Sequence, residues 1–230
     1  MSDFEPLLEK LEISFTDKEL LQQVFVHRSY LNEHRSFPLG HNERLEFLGD
    51  AVLELVVTEY LYSTYPNPEG ELTNWRSALV KGETLADIAS NLGFSEYLLL
   101  SSGEIKSGGR TKNQLLANAL EALLGALYLD QGYEVCQGLI SRLVLVRLPK
   151  ILEHRLFVDP KSQLQELTQE RFNITPTYTL LSEEGPDHSK LFEVAVWIGT
   201  QQLGVGNGQS KQAGQIAAAA AALKVLITAS

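Results

Sequence analysis

The chain has 230 residues, 44% of them hydrophobic and 21% charged, with 19 Lys and Arg against 29 Asp and Glu for a net charge of −10. This composition excludes disordered, collagen-like and heptad-dominated chains and allows one large domain or two small ones. The acidity speaks against a nucleic-acid binder, which ordinarily carries a basic footprint.

The chain opens Met1-Ser2-Asp3-Phe4-Glu5-Pro6, with neither the basic start nor the apolar run of a signal peptide. Apolar residues then recur at three- and four-residue spacing over 18–26, 43–62, 74–92, 112–129 and 133–154, which predicts helices. Breakers fall at Ser36-Phe37-Pro38-Leu39-Gly40, at Tyr65-Pro66-Asn67-Pro68-Glu69-Gly70 and between Ser101 and Gly109. An all-α domain over 1–155 is expected, followed by a linker at 156–159. Asp159 is a good N-cap and Pro160 a good first residue for a helix through 171. Strands are expected at 177–181, at 190–198 with Phe192, Val194 and Val196 alternating, and at 201–206. Ser210 then caps an alanine-rich closing helix. The order α-β-β-β-α over 160–228 is a small α+β domain. The most apolar stretch, 216–223, ends at Lys224 and is too short to span a bilayer, so no membrane partner is expected. The lone Cys136 excludes an internal disulfide and fits a reducing compartment, so a cytoplasmic location is expected.

The densest chemistry lies in His41-Asn42-Glu43-Arg44-Leu45-Glu46-Phe47-Leu48-Gly49-Asp50. At about 100° per residue, Glu43, Glu46 and Asp50 share one narrow stripe, with Leu45, Leu48, Val52 and Leu55 on the opposite side. Like charges so spaced repel slightly. A solvated acidic face is the plain explanation, but two residues break surface logic. Gly49 costs about 1 kcal/mol relative to Ala in mid-helix, and a glycine there often admits another backbone. Phe47 sits beside the acids, off the core side, which suggests contact with another helix or subunit. In Asn113-Gln114-Leu115-Leu116-Ala117-Asn118-Ala119-Leu120-Glu121-Ala122-Leu123-Leu124-Gly125, the residues Asn118, Glu121 and Gly125 share a stripe of an otherwise apolar helix. Such polar groups need partners if buried. Packed on the first helix, they converge on Glu46 and Asp50 as an oxygen-only cluster suited to Mg2+ or Mn2+ rather than zinc.

The run from His41 to Asp50, with His27-Arg28-Ser29 upstream and Leu116 to Ala122 downstream, resembles the nuclease domain of ribonuclease III. The likeness spans essentially the whole chain, because bacterial enzymes of that family follow this domain with a double-stranded RNA-binding domain. The resemblance implies an endoribonuclease that hydrolyses phosphodiester bonds of double-stranded RNA with Mg2+, or Mn2+ as substitute. It also implies 5′-phosphate and 3′-hydroxyl ends, ribosomal RNA precursors and other structured transcripts as substrates, and a homodimer. Glu46, Asn118 and Glu121 would ligate the metal, with Asp50 and Glu121 essential to hydrolysis. Glu43 and Glu69 match further acids of the cleavage valley, Phe47 lies at the dimer contact, and His27 is read as a hydrogen-bonded histidine.

In the second domain, Ser162, Gln165 and Glu166 on the first helix and Pro186-Asp187-His188 in the following loop would meet minor grooves of A-form RNA. Lys211, at the start of the last helix, would meet phosphates. Two positions depart from the family pattern. Asn118 stands where Asp is usual, keeping a carbonyl oxygen and losing a charge. Lys211 is followed by Gln212, Ala213 and Gly214 where a second basic residue is usual. Asn118 supports an alternative reading as a double-stranded RNA-binding or structural protein with weak or no nuclease activity, whereas the retained Glu46, Asp50 and Glu121 support the enzyme. A metal-free, histidine-based nuclease is disfavoured because the five histidines do not converge. Divided at 158, the first part has 14 Lys and Arg against 22 Asp and Glu, giving −8, and the remainder 5 against 7, giving −2. Much of the acidity therefore lies in the domain that carries the candidate metal site, the second domain is not basic, and weak, salt-sensitive RNA binding is expected.

Overall fold

The computed structural model describes residues 3–155, 157, 159–186 and 190–228, with the side chains of 227 and 228 excepted. Two compact units divide the chain at 157/158. Phe157, within the stretch read as linker, packs edge-on against Trp75 of the first unit. No helix among the described residues is long and apolar enough to cross a membrane.

The first unit is helical: α1 Glu5–Leu11, α2 Lys18–Val24, α3 Arg28–Glu33, α4 Glu43–Thr64, α5 Glu69–Val80, α6 Gly82–Leu92, α7 Phe94–Tyr97, α8 Ser102–Lys106, α9 Asn113–Gln131, α10 Tyr133–Leu143 and α11 Leu148–Glu153. Its centre is α9, where Leu116, Ala117, Ala119, Leu120, Ala122, Leu123, Leu124, Gly125, Ala126 and Leu127 are all buried. A helix apolar on almost every side must be wrapped by others, and α2, α4, α6 and α10 pack around it. The same core holds Phe25, Leu53, Leu79, Leu85 and Phe94. Side chains fix the starts of the shorter helices: Asp17 accepts from the amides of Glu19 and Leu20, and Ser101 from that of Glu104. His27 is hydrogen-bonded, its ring Nδ1 accepting from the amide of Ser29 at the start of α3.

Four sequence expectations need correction. The span 74–92 is two helices, because Lys81 is extended at ψ 143° and Gly82 restarts the helix. Both pieces present apolar faces to one core, so the periodicity runs through the break. The span 133–154 breaks after Leu143, because Pro149 lacks the amide that a continuous helix would need and fits only the first turn of α11. Glu69 lies in the first turn of α5 rather than in a turn, since Pro68 ends the breaker and starts the helix. On α4 the buried stripe is Leu45, Gly49, Val52, Leu53, Val56 and Val57. Leu55, placed with the core from periodicity, is 57% exposed, because the buried direction is rotated toward Gly49.

The second unit opens with α12 Pro160–Phe172, capped by the Asp159 carboxylate, which accepts from the amides of Lys161 and Ser162. The strands β1 Thr177–Glu184, β2 Leu191–Ile198 and β3 Gln201–Gly208 form an antiparallel sheet in that order, with Tyr178 opposite Val196 and Val194 opposite Gly206. The closing helix is α13 Lys211–Thr228, and the Ser210 hydroxyl accepts from the Ala213 amide at its start. Leu164, Val196, Ile198, Ala218, Ala219 and Ala222 form the core. The alanines of α13 meet alternate glycines of β3: a Cβ on Gly206 would lie 2.1 Å from the Ala218 nitrogen. Strand and helix backbones therefore lie almost in contact, and the sequence reading missed this pairing. The expected architecture, a helical domain followed by a small α-β-β-β-α domain, is the one observed.

Candidate active site

The site begins where α4 crosses α9. A Cβ on Gly49 would lie 1.7 Å from the Glu121 carbonyl oxygen, and a Cβ on Gly125 would lie 2.1 Å from the Leu45 carbonyl oxygen. Each helix thus presents a glycine to a carbonyl of the other, and only hydrogen can occupy both positions. Glu46 lies three residues before Gly49, Asp50 one after it, and Glu121 four before Gly125, so the crossing brings the acids of the two helices together. Asn42 fixes the start of α4. It is buried, its side-chain amide donates to the Val24 carbonyl at 2.8 Å, and its backbone N–H donates to that of Val26 at 2.9 Å.

Burial, Asp50 and Glu46 together push the Glu121 carboxyl up to about 7. Burial and the neighbouring Glu43 also raise Glu46, with a smaller push from Asp50, while a hydrogen bond from Asn118 lowers it. Asp50 is exposed on the same stripe, and Glu46, Asn118 and Glu121 are half-buried. The Asn118 carbonyl oxygen accepts a hydrogen bond from the Gln114 side chain at 2.6 Å. Among the described residues no group of three or more His, Cys, Asp or Glu side chains is placed so that it could by itself hold a metal ion. Magnesium does not require one, because it is held by one or two carboxylates and keeps several waters. An oxygen-only set whose members repel one another is chemically suited to such a cation.

The outer acids are placed differently. Glu43 is flanked by Arg28 at 3.5 Å and His41 at 3.7 Å, so two basic groups border the stripe. Glu69 accepts from Thr73 and lines a cavity of about 400 Å³ with Leu61, Tyr62, Leu72 and Arg76. That cavity lies against the far half of α4, eight or more residues beyond Asp50 and so roughly 12 Å or more along the helix. Within one chain the structure does not bring Glu69 to the acidic crossing. Phe47 is 82% exposed, and it continues with Leu55 and Tyr62 as an outward apolar face of α4.

In the second unit Ser162, Gln165 and Glu166 are exposed along one side of α12, away from the buried Leu164 and Thr168. Pro186 and Lys211 are exposed, and His188 lies outside the described residues. The neighbouring Lys161 donates to Gln215 at 2.7 Å and sits over the Tyr178 ring. Gln114 and Asn42 were not singled out from the sequence. Gln114 had a legible signal, lying one turn before Asn118 on the same stripe, whereas nothing in the sequence marks Asn42 as buried.

Residues 17–148 match the family model described as Ribonuclease-III-like, and residues 160–226 match that of the double-stranded RNA binding motif. The fold and site therefore define a helical nuclease domain followed by a double-stranded RNA-binding domain. Ribonuclease 3 of Nitratiruptor sp. is 46% identical over 227 residues, covering 98% of each chain. Ribonuclease 3 of Bacillus cereus is 47% identical over 226 residues, covering 97% of this chain and 91% of that one. A crystal structure of the nuclease domain of ribonuclease III from Campylobacter jejuni matches with a TM-score of 0.59 and 39% identity, over 65% of this chain and 98% of that one. A second structure of that domain, concerned with flexibility in the region involved in dimer formation, matches equally well, over 64% and 99%. The chain belongs to the ribonuclease III family and is a ribonuclease.

Proposed function

We propose that the protein is an endoribonuclease that hydrolyses double-stranded RNA with Mg2+, leaving 5′-phosphate and 3′-hydroxyl ends, with structured transcripts such as ribosomal RNA precursors as substrates. The observation that carries this is the meeting of Glu46, Asp50 and Glu121 across a glycine-to-glycine helix crossing. Glu46 and Glu121 hold the metal with Asn118 beside them, and Mn2+ can substitute. When bound, the metal supplies an activated water and neutralises charge on the scissile phosphate. Asp50, the exposed member, faces RNA and water. Ser162, Gln165, Glu166, Pro186, His188 and Lys211 are the proposed RNA contacts of the second domain. The test is incubation of the full chain with a long RNA duplex in Mg2+ or in EDTA: metal-dependent fragments bearing 5′-phosphates are expected, and binding without cleavage at enzyme excess refutes the reading.

Asn118 favours a second reading, a duplex-binding protein of low activity, and the variant Asn118→Asp separates the two. If the missing charge only weakens metal binding, the variant needs roughly three- to tenfold less Mg2+ for half-maximal rate. An unchanged requirement contradicts that explanation of the departure.

A homodimer is proposed from the outward face of α4. Phe47 and the cavity at Leu61 and Tyr62 sit at opposite ends of that face. In an isologous pairing a two-fold axis near Glu54 and Leu55 places the Phe47 of each chain in the cavity of the other. The same axis carries Glu69 of each chain toward the acidic crossing of its partner. Phe47→Asp is expected to give monomers at micromolar concentration by sedimentation equilibrium, and a persisting dimer excludes this face.

A further inference from the structure

We infer that Lys161 is an RNA-phosphate contact of the second domain, acting beside Lys211 where α12 meets the first turns of α13. The second unit carries five Lys and Arg residues, at 161, 171, 190, 211 and 224. Arg171 donates to the Leu226 carbonyl near the end of α13, Lys190 pairs with Glu183, and Lys224 lies roughly 20 Å along α13 from Lys211. Among these described residues it is Lys161 that reaches the start of α13: its ammonium donates to Gln215 Oε1 at 2.7 Å, and Gln215 lies one turn after Lys211 on the same face. On α12, at about 100° per residue, Lys161 falls between the buried Leu164 and Thr168 on one side and the exposed Ser162 and Gln165 on the other. Its stem therefore crosses the rim of the core, with the ammonium 5.1 Å from the centre of the Tyr178 ring. Gln215 is neutral, so it directs the ammonium without cancelling the charge, and it engages one of three N–H donors. The neighbouring carboxylate, Asp159, accepts from the backbone amides of Lys161 and Ser162. Domains of this kind touch minor grooves and the phosphates between them. A cation held between a groove-reading helix and a phosphate-binding helix adds a second positive charge to a surface where no basic residue follows Lys211 before Lys224.

The inference rests on the RNA contacts proposed above for α12 and α13, and it is tested by binding rather than by cleavage. The full chain, in EDTA, is titrated with an RNA duplex of about 20 base pairs, longer than the roughly 16 that one such domain spans, at salt concentrations from about 50 to 200 mM. Lys161→Gln is expected to weaken binding about five- to tenfold at about 100 mM salt and to make the slope of log affinity against log salt shallower by about one. Exchanging the two groups, as Lys161→Gln with Gln215→Lys, keeps one cation and one amide between the helices and is expected to restore both affinity and slope. A lysine that only ties α12 to α13 would lower the thermal midpoint and leave the slope alone. An unchanged slope in Lys161→Gln therefore overturns the inference, as does a slope that stays shallow after the exchange. Lys211→Ala separates the two levels of the argument: if it too changes neither affinity nor slope, the RNA reading of this surface fails and the inference with it. A shallower slope for Lys211→Ala beside an unchanged one for Lys161→Gln overturns the inference alone.

Discussion

Gly49→Ala is expected to destabilise the protein by about 3–5 kcal/mol and to lower the cleavage rate by about 100-fold or more in the fraction that folds. Helix propensity alone argues for the opposite sign, because alanine improves on a mid-helix glycine by about 1 kcal/mol. The crossing decides the outcome. The added methyl would sit 1.7 Å from the Glu121 carbonyl oxygen and 2.8 Å from the Gly125 nitrogen, and these are backbone atoms that no rotamer change can move away. The helices must separate by more than an ångström, and the carboxylates of α4 then move away from Glu121. At about 2–4 °C per kcal/mol for a chain of this size, the thermal midpoint should fall by roughly 10 °C. Gly70→Ala is the control: a Cβ there meets nothing within 4 Å, so stability should hold or rise slightly. A Gly49→Ala protein of normal stability would mean that the two helices do not approach as described.

Glu121→Gln is expected to raise stability and remove activity. In the folded protein the carboxyl is pushed up to about 7 by burial and by Asp50 and Glu46, against 4.5 in its ordinary state. A group whose folded pKa is raised contributes stability that is complete below 4.5 and lost as pH rises through about 7. In EDTA, the unaltered protein should therefore lose stability across that interval relative to the glutamine variant. The two should melt alike near pH 4, with the variant melting higher at pH 8. Cleavage in Mg2+ should meanwhile fall by about 100- to 1000-fold, the scale of losing one preorganised charge-stabilising group. A variant that melts lower than the parent at pH 8 would contradict the clustering of the three acids.

Much of this site could be read from helical spacing. Glu46 and Asp50 on α4, and Asn118, Glu121 and Gly125 on α9, are one-face patterns, and a face is what periodicity measures. Gly49 was legible as an exception to helix propensity, although its partner, the Glu121 carbonyl, depends on tertiary packing. Leu55 shows where spacing fails: leucine fits a core stripe or an interface equally well, and only the rotation of α4 about its axis tells them apart. The break at Lys81 was hidden because two helices on one core carry a single apolar rhythm. Glu69 stood out as an acid in a conspicuous turn, yet the structure places it beside a cavity on the far half of α4. In the second domain the strands and caps followed from alternation and from Asp159 and Ser210. The glycines of β3 were not read as a packing surface, because their meaning lies in the alanines of a helix elsewhere in the sequence.

The overall charge of −10 argues less against a metal-dependent RNA nuclease once divided, since −8 of it belongs to the unit that carries the acidic crossing, while the −2 of the second unit still predicts weak, salt-sensitive RNA binding. The measurement that tests this most directly is cleavage of a long RNA duplex at enzyme excess by the unaltered protein and by Glu121→Gln, with duplex binding followed in parallel. The expected result is Mg2+-dependent cleavage by the unaltered protein, abolished by EDTA, and equal binding without cleavage by the variant. Cleavage by the variant at the parental rate, or binding without cleavage by the unaltered protein in Mg2+, would contradict the assignment of the α4–α9 crossing as the catalytic centre.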